Sequence, residues 1–132
     1  MMSELEEART WLLQAVKSLL AADVLLREEL PLDAISRAYF AMVYTVRAAL
    51  ASLEESSSGA LDILDAFKTR IADSLEISKE NRRVLVIVHD LRRRSEDSLE
   101  WQVDGETAAV CVEDAKSFVN ELAEKVNSRL EA

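Results

Sequence analysis

At 132 residues with a net charge of −9, the chain suffices for one domain with one core, and its acidity excludes broad, sequence-independent adhesion to nucleic acid or anionic membrane. Only two Gly and one Pro favour long helices joined by few turns. The single cysteine, Cys111, excludes an intramolecular disulfide, a CxxC redox pair and Cys-based metal spacing, which fits a reducing compartment.

Ser3 with Glu6 forms a capping-box pattern at the start of a first helix. Leu5, Ala8, Leu12, Ala15, Leu19, Ala22 and Leu26 then repeat at three and four, a seam for a neighbouring helix. Leu30-Pro31 interrupts that pattern and suits the first turn of the next helix, which runs from Asp33 to Leu53. Ile35, Ala38, Met42, Val46, Ala49 and Leu53 form its core stripe, widened by Tyr39, Val43 and Leu50. Arg37, Phe40, Tyr44 and Arg47 fall roughly opposite, where a solvated face would carry Lys, Glu and Ser, so this side is expected to be covered. Three covers suit arginine mixed with aromatic rings: a dimer interface, a nucleotide or RNA surface, or further core packing.

Glu54 to Gly59 reads as a loop, and Leu61, Leu64, Phe67 and Ile71 mark a short third helix. Ser78 is an N-cap for a fourth helix with Val84, Val88, Leu91, Ser95 and Leu99 on one face. Val84 to Val88 has strand propensity, but a lone strand has no partner and the helical spacing continues through Leu91. Asp104-Gly105 turns the chain into a long last helix carrying Ala108, Val112, Ala115, Val119, Leu122, Val126 and Leu130. The expected fold is an all-α, antiparallel up-and-down helical bundle of four main helices and one shorter one, forming a single domain over 1–132.

One His, no Glu-x-x-His and no Gly-rich loop leave neither a metal nor a cofactor expected. Cys111 with His89 is a formal nucleophile pair, but Cys111 lies within an apolar pattern, where thiols are inert. No apolar run approaches the ~20 residues of a membrane span and the N-terminus is acidic, so a cytoplasmic protein without membrane contact is expected. The acidic chain has one basic window: Lys79 to Arg94 holds six basic residues against two acids. At about 100° per residue Arg92 flanks the core there, while Arg93 points outward with His89. That window is either a solvated face or a set of phosphate contacts.

Ser36-Arg37-Ala38-Tyr39-Phe40-Ala41-Met42, followed by Arg47-Ala48-Ala49-Leu50, is close to the SRAYYAM element of the small stand-alone HEPN proteins of archaea and bacteria. Leu91-Arg92 and Glu113-Asp114-Ala115-Lys116-Ser117-Phe118-Val119, similar to the EDAxxFV ending, extend the resemblance over nearly the whole chain. The resemblance implies a helical homodimer, a minimal nucleotidyltransferase partner in a toxin–antitoxin pair, and nucleotide or RNA as ligand. Many members are metal-independent ribonucleases in which an Arg, four to six residues and then a His meet across the dimer. His exchanges a proton with the 2′-hydroxyl near neutral pH while Arg stabilises the phosphate.

Here the pattern departs. Arg92 takes the arginine position and Asp97 stands where His belongs; an ionised Asp is a poor acid and repels phosphate. One segment earlier, Arg83 and His89 meet the bare spacing, as do Arg82 and His89. The expectation is therefore a nucleotide- or RNA-binding or regulatory module with a degenerate nuclease motif. The alternatives are a ribonuclease toxin using Arg92 with Asp97 or Arg83 with His89, and a purely structural interaction bundle.

Overall fold

The computed structural model describes residues 2–97 and 103–132. Helix α1 spans Glu4–Arg27, α2 Pro31–Ser52, α3 Ile63–Ala66 continued by a π-helical turn Phe67–Ile71, α4 Lys79–Asp97 and α5 Gly105–Leu130. Among the described residues there is no strand, and Val84 to Val88 lies within α4. Leu99, expected on the face of the fourth helix, lies outside the described residues.

Ser3 caps α1 by accepting from the Glu6 N–H at 3.2 Å, and its hydroxyl donates to the Glu6 carboxylate at 3.1 Å. The pairings Trp11 with Tyr44 and Ser18 with Arg37 set α1 antiparallel to α2. That register puts Ala8, Ala15 and Ala22 level with Ala48, Ala41 and Ala34. All six alanines are completely buried. Methyl groups on both sides of the seam let the two backbones approach toward the close end of helix packing, about 8 Å between axes. Expected seam residues Leu12, Leu19 and Leu26 flank this contact and are half-buried, whereas Leu5 is exposed.

The second helix is the hub of the bundle. Its expected core stripe is buried, with Leu53 packed at its edge, and Ala34, Ala41, Thr45 and Ala48 are buried on the side toward α1 as well. The Arg129 Nε bonds the Ser52 carbonyl at 2.8 Å, so α5 ends where α2 ends and the two run side by side. Helices α1 and α4 run opposite to both, completing an up-and-down bundle. Asp104 caps α5, which begins at Gly105: its carboxylate accepts from the Thr107 N–H at 2.7 Å.

Tertiary hydrogen bonds fix the start of α4. Ser78 accepts from the Asn81 N–H at 3.3 Å, and Glu121 of α5 accepts from the Ser78 N–H at 2.8 Å, the Ser78 hydroxyl at 2.7 Å and the Asn81 amide at 2.6 Å. Burial resists ionisation of Glu121, but these donors outweigh it and hold the carboxyl below its ordinary value of about 4.5. The third helix is shorter than Leu61 to Ile71 suggests, since its last turn widens to the π form as Phe67 and Ile71 enter the core. Arg82 holds that end, donating to the Ala72 and Ile77 carbonyls at 2.9 and 2.7 Å and to Asp73 at 2.6 Å.

Candidate functional site

Five rings run in a continuous row across the bundle. Trp11 on α1 stacks with Tyr44 at 5.8 Å between centroids, Tyr44 with Phe40 at 6.3 Å, Phe40 meets Tyr39 edge-on at 5.7 Å, and Tyr39 meets His89 on α4 at 5.6 Å. The spacing within α2 makes this row, because Phe40 and Tyr44 are one turn apart and Tyr39 adjoins Phe40. Three guanidinium groups lie over its rings: Arg47 over Trp11 at 5.4 Å, Arg37 over Phe40 at 5.7 Å, and Arg92 over both Tyr39 and Phe40 at 5.0 and 4.9 Å.

The face of Arg37, Phe40, Tyr44 and Arg47 is thus covered from within the chain. Arg37 donates to the Ser18 hydroxyl at 2.8 Å, and Arg47 donates to the Ser57 and Gly59 carbonyls at 2.7 and 3.1 Å. Both arginines fasten α2 to its surroundings. Phe40 and Tyr44 remain half-buried.

Arg92 is placed differently. Its side chain is 25% exposed and pairs with Glu96 one turn on at 2.9 Å, and its buried Nε has no hydrogen-bond partner among the described residues. The exposed part of a guanidinium stacked on two rings can donate to an anionic oxygen. His89 precedes it by three residues and lies against the same Tyr39 ring. Burial pushes the Tyr39 phenol up despite Arg92 beside it, so the ring stays neutral near pH 7.

A cleft opens at each end of the row. One of about 560 Å³ is lined by Tyr39, His89, Asp62 and neighbouring α3 residues. The other, about 580 Å³, lies beside Trp11 and Tyr44 with Glu7, Thr10 and Gln14 on its wall.

The remaining sequence candidates separate. Arg83 is exposed on another face of α4, with Lys79, Val86 and Ile87, so one chain does not bring it to His89. Arg82 has the helical phase of His89, but its guanidinium is committed to the α3 end. Arg93 is exposed, whereas His89 is half-buried against Tyr39. Asp97 closes α4, and its side chain lies outside the described residues. Cys111 is buried in α5, where burial and Asp114 raise its thiol above 9.0, so it is protonated and enclosed. Among the described residues no three His, Cys, Asp or Glu side chains group to hold a metal ion.

Sequence reasoning missed Trp11 and assigned Tyr39 to the core alone. The signal for Trp11 was its place three residues after Ala8, on the flank of the seam that an antiparallel partner helix must meet.

Among curated proteins none matches the chain. The HEPN domain family matches it over residues 8–126, from the first alanine of the α1 seam to Val126, the last buried residue of α5. With its helical bundle and nearly its whole length inside that match, the chain belongs to the HEPN domain family.

Proposed function

We propose that the chain is a nucleotide- or RNA-binding module that acts as a homodimer and serves as the regulatory partner of a minimal nucleotidyltransferase in a toxin–antitoxin pair. The observation that carries the binding role is Arg92, its side chain 25% exposed and its guanidinium stacked over Tyr39 and Phe40. Single-stranded nucleic acid is held by such pairings of cation and ring, the phosphate on the guanidinium and a base on an aromatic face. Net acidity makes the contact local rather than a broad footprint.

The test is fluorescence anisotropy with short labelled single-stranded RNA in the presence of a chelator. Arg92→Met keeps the stem and removes the charge. It is expected to weaken binding about 10- to 100-fold, the value of a charge-assisted hydrogen bond of ~1.5–3 kcal/mol. Equal affinity in the variant, or no binding by the native chain, sinks the reading and favours an interaction bundle. A minimal nucleotidyltransferase encoded beside the chain and co-purifying with it would support the partner, and absence of such a neighbour would retire it.

A ribonuclease reading has one specific observation in its favour: His89 and Arg92 of one chain flank the same ring. Cleavage of RNA without metal, lost in His89→Ala and Arg92→Ala, would establish it. An inert native chain retires it, together with the roles of Arg83 and Asp97.

A further inference from the structure

The cleft at the α1 end of the aromatic row, about 580 Å³, is assembled from one face of α1 and one ring of α2. Glu7, Thr10, Trp11 and Gln14 recur at three and four, so they share that face with Trp11 near its centre, and Tyr44 closes the cleft from α2. Trp11 and Tyr44 are both half-buried, which leaves ring surface of each open to the cleft. Its size and mixed lining suit one small planar ligand.

The carboxylate on its wall is fixed in place. Glu7 accepts from the Ser57 hydroxyl through Oε1, Ser57 is 3% exposed, and the Ser57 carbonyl in turn accepts from Arg47 at 2.7 Å. Glu7 Oε2 accepts no hydrogen bond among the described residues, and Oε1 keeps a second lone pair. The nearby Gln14 amide can both donate and accept.

Charge narrows the ligand. Among the described residues no Lys or Arg lines the cleft, so nothing there holds a phosphate. Arg47 lies over Trp11 at 5.4 Å and disfavours a second cation on that ring. A neutral planar group with donors for the carboxylate remains. Of the RNA bases, guanine places two adjacent donors, N1–H and the 2-amino group, on its Watson–Crick edge. Adenine and cytosine set one amino group beside an acceptor nitrogen, and uracil sets one N–H between two carbonyls. A carboxylate only accepts, so it pairs with both guanine donors and meets a repelling acceptor on each of the other three.

We propose that this cleft is a guanine-selective base pocket, in which the base stacks on Trp11 and Tyr44 and Glu7 accepts from its Watson–Crick edge. The strand then follows the row toward Phe40, where Arg92 takes a phosphate. The proposal rests on the RNA-binding reading above and adds base identity to it.

Fluorescence anisotropy with four labelled uridine-rich hexanucleotides, differing only in one central G, A, C or U, tests it. The guanine oligonucleotide is expected to bind about 10- to 100-fold more tightly than the others. Inosine keeps N1–H and lacks the 2-amino group, so the inosine oligonucleotide should bind at least about 3-fold more weakly than the guanine one, with the protein unchanged. Glu7→Gln keeps an acceptor for Ser57 but sets an amide donor against a guanine donor, and it should erase the preference while circular dichroism shows helical content retained. Arg92→Met should weaken all four alike and leave the preference intact. Equal binding of the four by the native chain overturns the pocket and leaves the Arg92 site standing. So does a preference that survives in inosine or in a folded Glu7→Gln variant. Binding to none of the four overturns both.

Discussion

Replacing Glu121 by Gln tests how the site is positioned. One Glu121 oxygen accepts from the Ser78 N–H at 2.8 Å, and the other accepts from the Ser78 hydroxyl at 2.7 Å and the Asn81 amide at 2.6 Å. A Gln at this position keeps one carbonyl oxygen for the latter two bonds and turns its own NH2 toward the Ser78 N–H, donor against donor. A hydrogen bond to a charged acceptor contributes ~1.5–3 kcal/mol and one to a neutral acceptor ~0.5–1.5 kcal/mol. Losing one and weakening two at a half-buried carboxylate costs about 2 kcal/mol after discounting for solvent. For a chain of this length the melting midpoint falls by roughly 6–10 °C. Glu121 is held below its ordinary value, so its stabilisation is complete above the unfolded pKa and is lost as pH falls through the lower folded one. Thermal melts at pH 7 and in acid should therefore show a full gap between native and variant at pH 7, shrinking only below about pH 4. Equal midpoints at pH 7, or a gap unchanged in acid, would refute the assignment.

Two further outcomes follow from packing and from the division of arginines along α4. Ala41→Leu drives a larger side chain into the fully buried seam with α1 and should destabilise by about 1–3 kcal/mol in urea, while the same change at exposed Ala60 should not. Arg82→Ala leaves the Ile77 carbonyl without its donor and the Ala72 carbonyl with the Ile77 N–H alone, and should lower stability by about 1–3 kcal/mol without changing RNA affinity, whereas exposed Arg83→Ala should leave stability unchanged.

The helices were legible where a residue's neighbours lie within one or two turns. The alanines and leucines of α1, the stripe of α2, and the caps at Ser3 and Ser78 all announce themselves by spacing. The π turn after α3 did not, because Phe67 and Ile71 reach the core only by widening the turn, a demand set by tertiary packing. The face of Arg37, Phe40, Tyr44 and Arg47 was expected to be covered, and the groups its two arginines bond within the chain could not be named from spacing. Ser18, Trp11, Ser57 and Gly59 come from α1 and a loop, and only the antiparallel register brings them there.

The basic window shows why a run of like charge is a poor unit of function. Along α4, Asn81, Leu85, Val88 and Arg92 recur at three and four, and the first three are buried. Arg92 therefore occupies the next position of the core-facing stripe, where an aliphatic side chain would bury its whole length at no electrostatic cost. Its neighbours Arg93 and Arg94 are exposed, and Arg94 only pairs with Asp90 one turn back at 3.1 Å. The stem of Arg92 packs as a hydrocarbon while its guanidinium stacks over Tyr39 and Phe40 and pairs with Glu96 at 2.9 Å. The clamp of Glu121 on Ser78 and Asn81 sets the phase of α4, and three turns later that phase turns Arg92 toward the rings rather than toward water.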